Sequence, residues 1–217
     1  MTDGDTGAEP RTRTVRIGIT GPIGCGKSQV ARWLGERGVH VVDADQEARA
    51  VTAPGGAVHD AVVRRWPEAA GPDGTLDRAA LGRTVFADPA ALRELEALVH
   101  PAVRPRVLAR IAAAEAVDAP AIAIEAIKLV EGGLADTCDA VWLVTCDPIV
   151  QRDRLAGRGL AQPDADRRIA SQAGLVDRAR SAATLVIEAS GGLNATRAVV
   201  EAAFDAALIE AGGVIPR

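Results

Sequence analysis

Apolar residues recur along the chain with two spacings. In five short runs they are nearly continuous and rich in β-branched residues: 15–20 (VRIGIT), 39–42, 121–125 (AIAIE), 140–145 (AVWLVT) and 184–187. Runs of this length read as strands covered on both faces, as in a parallel sheet. Between them the apolar positions return every three or four residues, the spacing of a buried helix face. Val30, Trp33 and Leu34 share one face of a helix over 28–37, and Gly38 is placed to stop it. The stretches 76–86, 89–100 and 101–117 read as three helices, with Asp88 capping the second and prolines opening the second and third. Asp147 and Pro148 start another, and Val200, Ala203, Phe204, Ala207 and Leu208 form the stripe of a closing helix. The predicted fold class is α/β: a parallel five-stranded sheet flanked by helices.

The turn after the first strand carries the first chemistry. Gly21-Pro22-Ile23-Gly24-Cys25-Gly26-Lys27-Ser28 fits G-x-x-x-x-G-K-[ST] in full, between a predicted strand and a predicted helix. Glycines let backbone N–H groups crowd a phosphate, and the helix start adds further donors and a positive dipole end. The loop is therefore expected to hold the phosphates of a nucleoside triphosphate. Lys27 would bridge the β- and γ-phosphates and Ser28 would ligate Mg²⁺. A guanine-reading NKxD motif is absent at the late strand, where the chain reads Val144-Thr145-Cys146-Asp147.

Composition narrows the partners. A formal net charge of −4 argues against a nucleic-acid surface. No apolar run reaches the ~20 residues of a membrane span, so no membrane partner is expected. Residues 1–14 are polar, lack the apolar core of a signal peptide, and read as a disordered tail on a cytoplasmic protein. Cys25, Cys138 and Cys146 lack metal spacing and read as reduced thiols. Lys27 and Lys128 are the only lysines in a chain that otherwise uses arginine, which draws attention to both.

Strands of a parallel sheet share a direction, so residues that end them meet at one edge. Asp43 and Asp45 follow the second strand and Glu125 ends the third, all on the edge of the glycine loop. Either aspartate could cap the next helix or accept the proton of an acceptor hydroxyl, and Glu125 is placed to hold Mg²⁺ with Ser28. Gln151, Arg154 and Arg158 share a helix face, and Arg167 and Arg168 follow the Gly/Pro-containing break at 157–163. Two arginine-bearing helices joined by such a break describe a lid that closes over phosphates.

Taken in order, these pieces resemble the dephospho-coenzyme A kinase family over residues 15–208. The resemblance rests on IGITGPIGCGKS (17–28), VVDAD (41–45), DGTLDR (73–78) with Leu81 and Val85-Phe86, Leu95-Glu96 with His100-Pro101, and the Gln151/Arg154/Arg158 and Arg168-Ile169/Gln172 groups. It implies transfer of the terminal phosphate of ATP to the ribose 3′-hydroxyl of dephospho-CoA, the last step of coenzyme A synthesis. It further implies that Gly24 to Gln29 hold the ATP phosphates, with Asp45 as base, Arg154 and Arg158 as lid arginines, and Arg78 and His100 on the acceptor side with Asp45 and Glu125. Lys128, three residues past Glu125 at the predicted edge of the site, is expected to help handle phosphate or substrate. Where the family has D-x-P-L-L-x-E, this chain has Glu125 to Glu131 (EAIKLVE), and the family's asparagine near the adenine is Ala189.

The resemblance implies one kinase domain over 15–217. Its core would be 15–50, 119–150 and 184–212, its helical acceptor-binding insert about 51–118 and its lid about 151–180. Two other readings fit the loop: a nucleoside-monophosphate-type kinase on the same fold, and a module that binds ATP without catalysis.

Overall fold

The computed structural model describes residues 13–211. Residues 1–12 of the expected tail lie outside the described residues. Thr14 is buried and its hydroxyl donates to the Ala119 carbonyl at 2.7 Å, so ordered chain begins before Val15.

Five parallel strands form one sheet: β1 (Val15–Thr20), β2 (His40–Asp43), β3 (Ala121–Glu125), β4 (Ala140–Thr145) and β5 (Leu185–Glu188), in the spatial order β2-β3-β1-β4-β5. β1 is central, and the chain passes to opposite sides of it for β3 and β4, which opens a crevice at its carboxyl end. Alternation along the strands serves two cores. Ile17, Ile19, Trp142 and Val144 face α1 (Lys27–Glu36) and the closing helix, with Val30, Leu34, Val200 and Phe204. Val42, Ile122, Ile124 and Val141 face the other side, where α2 (Ala44–Val51) and α5 (Pro89–Ala116) pack.

Between α2 and β3 lies a helical insertion: α3 (His59–Arg65), α4 (Arg78–Ala87) and α5, with α3, α4 and the start of α5 around a third small core of Val62, Trp66, Leu81, Val85 and Ala91. The two helices expected over 89–117 are one. Pro101 and Pro105 sit inside α5 instead of opening a new helix. Each removes one backbone donor, but Val99, Val103, Val107 and Ile111 make a continuous buried stripe that carries the helix through both. After β4 come α6 (Pro148–Gly157), capped by Asp147 as expected, α7 (Gln162–Ser171) and α8 (Leu175–Arg180); α9 (Leu193–Glu210) closes the chain.

The glycine loop is fastened to β4 by a close approach. Gly21 has φ +140°, and a Cβ there would lie 2.0 Å from the Val144 carbonyl oxygen. Gly38, at φ +80° after α1, has open space around it. Gly21→Ala should therefore cost about 2–4 kcal/mol through strain and forced displacement of β4, and Gly38→Ala about 1–2 kcal/mol through φ alone. Denaturant titration of both variants checks the order, and equal losses would refute the close-approach account.

Candidate active site

The site is built at the carboxyl edge of the sheet. β2 and β3 pair with Asp43 beside Glu125, and β1 pairs with β3 with Ile19 beside Glu125. The strand ends thus bring Asp43 and Glu125 next to the loop that follows β1. Gly24 and Gly26 take positive φ, 82° and 108°, and Gly26 is the N-cap of α1. Lys27 opens that helix, is buried, and donates to the Pro22 carbonyl at 3.2 Å. Ser28 donates its hydroxyl hydrogen to Glu125 Oε1 at 2.7 Å.

The two aspartates separate by role. Asp43 is the cap of α2: its carboxylate accepts from the backbone N–H groups of Asp45 and Gln46 at 2.8 and 3.2 Å. Asp45, in the first turn of α2, lines a cleft of about 230 Å³ with Phe86, His100, Lys128 and Gln172. It also borders a neighbouring cleft with Arg78 and His100. Arg78 is held there by donating to Thr52 Oγ1 and the Arg49 carbonyl at 3.0 and 2.9 Å. Lys128 lies in the cleft wall with its ammonium paired to Glu96 of α5.

Charges at this edge are strongly coupled. Burial pulls the Lys27 ammonium below its ordinary value and Arg158 adds to this, against the attraction of Glu125, Asp45 and Asp43. Burial pushes the Asp45 carboxyl up, and Asp43 pushes it further. Asp45 is nevertheless an exposed residue, so the cleft walls remove only part of its hydration. Burial also raises Glu125, although the Ser28 hydroxyl and Lys27 stabilise its anion. Burial lowers His100, with Lys128 contributing. Among the described residues no group of three or more His, Cys, Asp or Glu side chains is arranged to hold a metal ion. The Ser28–Glu125 pair suits Mg²⁺, which draws most of its ligands from phosphates and water.

Arg154 of α6 reaches the loop, donating to the Ala189 carbonyl at 2.6 Å and the Cys25 carbonyl at 3.4 Å. Arg158 is close enough to Lys27 to repel it. Arg167 and Arg168 are engaged away from the loop: Arg167 pairs with Asp164, and Arg168 stacks over Phe86 of α4, 5.6 Å from its centroid.

Three features escaped the sequence. Cys25 of the loop and Cys146 after β4 form a disulfide with Cα atoms 5.1 Å apart, which corrects the expectation of three reduced thiols; Cys138 is free. Ile23 has both backbone groups taken by glutamines of the α6–α7 region, Gln151 and Gln172. The Glu96–Lys128 pair joins segments far apart in sequence. The glutamines were visible as family motif positions, but no sequence signal assigned them a partner.

A parallel sheet flanked by helices, with the glycine loop after its central strand, is the architecture of the P-loop kinases. A profile of the dephospho-CoA kinase family matches residues 15–195. A dephospho-CoA kinase of Symbiobacterium thermophilum is 43% identical over 199 residues, covering 91% of this chain and 83% of its own. One from Parasynechococcus marenigrum is 44% identical over 186 residues, covering 85% and 92%. A crystal structure from Thermus thermophilus superposes with a TM-score of 0.72 at 36% identity, covering 91% of this chain and 98% of that one. A shikimate kinase from Acinetobacter baumannii, with a TM-score of 0.54 at 16% identity over 93% and 98% of the two chains, shares the fold. The chain belongs to the dephospho-CoA kinase family.

The coupling between Asp43 and Asp45 has a measurable consequence. Any step in which Asp45 accepted a proton would need its anion, so the raised carboxyl would move the acidic fall of kcat/KM to higher pH than an ordinary aspartate gives. Asp43→Asn removes the like charge and retains an oxygen to cap α2. The acid limb should then move to lower pH while the fold is kept. A pH–rate profile that stays in place would break the electrostatic link between the two.

Proposed function

We propose that this chain transfers the γ-phosphoryl group of ATP to the ribose 3′-hydroxyl of dephospho-CoA, giving coenzyme A and ADP. The observation that carries the proposal is the place of Asp45. It lies in the wall of a cleft large enough for an organic acceptor and within electrostatic reach of the phosphate-loop lysine.

Gly24 to Gln29 hold the ATP phosphates through backbone N–H groups and the start of α1. Lys27 sits in a desolvated position, where one positive charge is worth more than in water. Mg²⁺, when bound, would be held by Ser28 and Glu125 and would neutralise charge between the phosphates. The acceptor enters the cleft between α2, α5 and the segment after β3, with Arg78, His100 and Lys128 along its walls. Asp45 orients the 3′-hydroxyl and accepts its proton as the oxygen–phosphorus bond forms; the bond between the γ-phosphorus and the bridging oxygen breaks, and ADP leaves. Arg154 and Arg158 close over the departing charge from the lid.

In this reading 51–118 is the acceptor-binding insert and 151–180 the lid, in a cytoplasmic enzyme. No described helix is long and apolar enough to cross a membrane. In a reducing compartment the Cys25–Cys146 bond would stand open to exchange.

ATP turnover with and without dephospho-CoA tests the activity, with AMP, CMP and UMP as competing acceptors. Equal or greater turnover with a nucleoside monophosphate would replace the proposal. Asp45→Asn should lower kcat by about 10²–10⁴ with ATP affinity near that of the wild type. Loss of activity from Asp43→Asn with an active Asp45→Asn would reassign the base. Lys27→Ala should abolish transfer and leave the protein folded, because the side chain lies at the glycine loop, outside the three hydrophobic clusters. Wild-type turnover in that variant would remove Lys27 from the phosphate site.

A further inference from the structure

Ile23 is the one residue of the glycine loop whose two backbone groups are both held by side chains from outside it. Its N–H donates to Gln172 Oε1 at 2.8 Å, and its carbonyl accepts from Gln151 Nε2 at 2.7 Å. Backbone N–H is only a donor and backbone C=O only an acceptor, so these partners fix the orientation of both amides. Both contacts hold the peptides on either side of Ile23 against rotation. The peptide after it leads into Gly24, Cys25 and Gly26 of the loop proposed above to hold the phosphates.

The two glutamines differ in what lies behind them. Gln151 is buried on α6, which starts from the fixed Asp147 cap at the end of β4. It lies about one turn past that cap, at the root of the lid. Gln172 follows α7, where its backbone N–H donates to the Ile169 carbonyl at 3.0 Å. α7 reaches across to the acceptor side, with Arg168 stacked over Phe86 of α4. Phe86 and Gln172 line the same cleft as Asp45 and Lys128. One residue therefore touches the phosphate loop with its side chain and the acceptor cleft with its flank.

We propose that Gln172 is a positioning residue that couples occupancy of the acceptor cleft to the geometry of the phosphate loop. The inference rests on the acceptor proposed above. An acceptor filling the cleft beneath α4 and α7 favours the closed arrangement. Closure holds Gln172 Oε1 against the Ile23 N–H, and the loop is set for the β- and γ-phosphates. By linkage, ATP on the set loop strengthens acceptor binding by the same factor. Gln172 touches neither substrate's reacting atoms and acts only through the Ile23 peptide.

The test measures the dissociation constant of a non-hydrolysable ATP analogue with and without dephospho-CoA, together with kcat and KM, for the wild type, Gln172→Met and Gln172→Glu. Methionine keeps the length and volume but is a poor acceptor; glutamate keeps an oxygen at the same reach. In the wild type dephospho-CoA should tighten the analogue by about 5-fold or more, within the usual range of coupling. In Gln172→Met that ratio should fall to about 1 and kcat should fall about 10-fold or more, with analogue affinity in the absence of acceptor retained. Gln172→Glu should recover at least half of the wild-type ratio, whatever its charge does to absolute affinity. A wild-type ratio of 1 overturns the proposal, as does a wild-type ratio in Gln172→Met. Equal weakening of the analogue with and without acceptor marks a structural role and overturns it too, as does a Gln172→Glu enzyme uncoupled like Gln172→Met. Failure of the acceptor reading appears separately, as wild-type enzyme that does not phosphorylate dephospho-CoA.

Discussion

A loop that turns its amides toward a ligand cannot use them to hold its own shape. That constraint organises this molecule. Within the 21–28 loop the only backbone pairing internal to it joins Cys25 N–H to the Pro22 carbonyl at 3.3 Å. Apart from the Lys27 ammonium on the Pro22 carbonyl, the remaining supports come from neighbours: Gly21 lies against the Val144 carbonyl, Cys25 is bonded to Cys146, Gln151 and Gln172 hold Ile23, and Arg154 holds the Cys25 carbonyl. The supports come from β4, α6 and the residue after α7, all following the loop by more than a hundred residues. The phosphate site is thus a property of the completed fold, even though its motif is local.

The same supports bring charge where it is needed and make it costly to keep there. Lys27 is buried among Glu125, Asp45 and Asp43, and burial acts on its ammonium more strongly than these anions do. Asp45 and Glu125 are each pushed toward their neutral forms by burial, and each is helped back by Lys27. The site holds its charges in mutual dependence. Added phosphates would favour the protonated lysine and disfavour the neighbouring carboxylates, which is the balance that Mg²⁺ at Ser28 and Glu125 would restore.

The strands were legible because buried parallel strands leave continuous β-branched runs. β1, β3 and β4 coincide with the runs at 15–20, 121–125 and 140–145, and β2 and β5 are each displaced by one residue. That one-residue difference matters at β2. With the strand ending at Asp43, that carboxylate becomes the cap of α2 and Asp45 enters the cleft, a choice the sequence left open. The break expected at Pro101 is absent because a proline's local cost is outweighed by a stripe of buried valines and isoleucine on both sides of it. The pairing of Cys25 with Cys146, 121 residues apart, and the two glutamines on Ile23 had no trace in spacing or periodicity. Such contacts join a side chain to a distant backbone group or thiol, and only the folded topology brings them together.

The fused α5 ties the helical insertion to the sheet. Its first turns belong to the small core with Val62, Trp66, Leu81 and Val85, and its later turns, from Val99 on, belong to the core beneath the sheet. Pro101 and Pro105 lie just past that junction, and their missing donors leave the carbonyls of Ala97 and Pro101 without an intrahelical amide. A helix bends most easily at such a point. On the sheet side, buried Glu47 of α2 accepts from Arg106 and Arg110 at 2.5 and 3.2 Å and fixes the later turns to the core. On the insert side, Glu96 is held by Lys128 of the segment after β3. A swing of the insert against the sheet would flex α5 near the prolines and would part Glu96 from Lys128, Arg78 from the end of α2 and Phe86 from Arg168. Both Glu96 and Lys128 line the cleft with Asp45, so the ion pair that ties the insert to the sheet also forms part of the cleft wall.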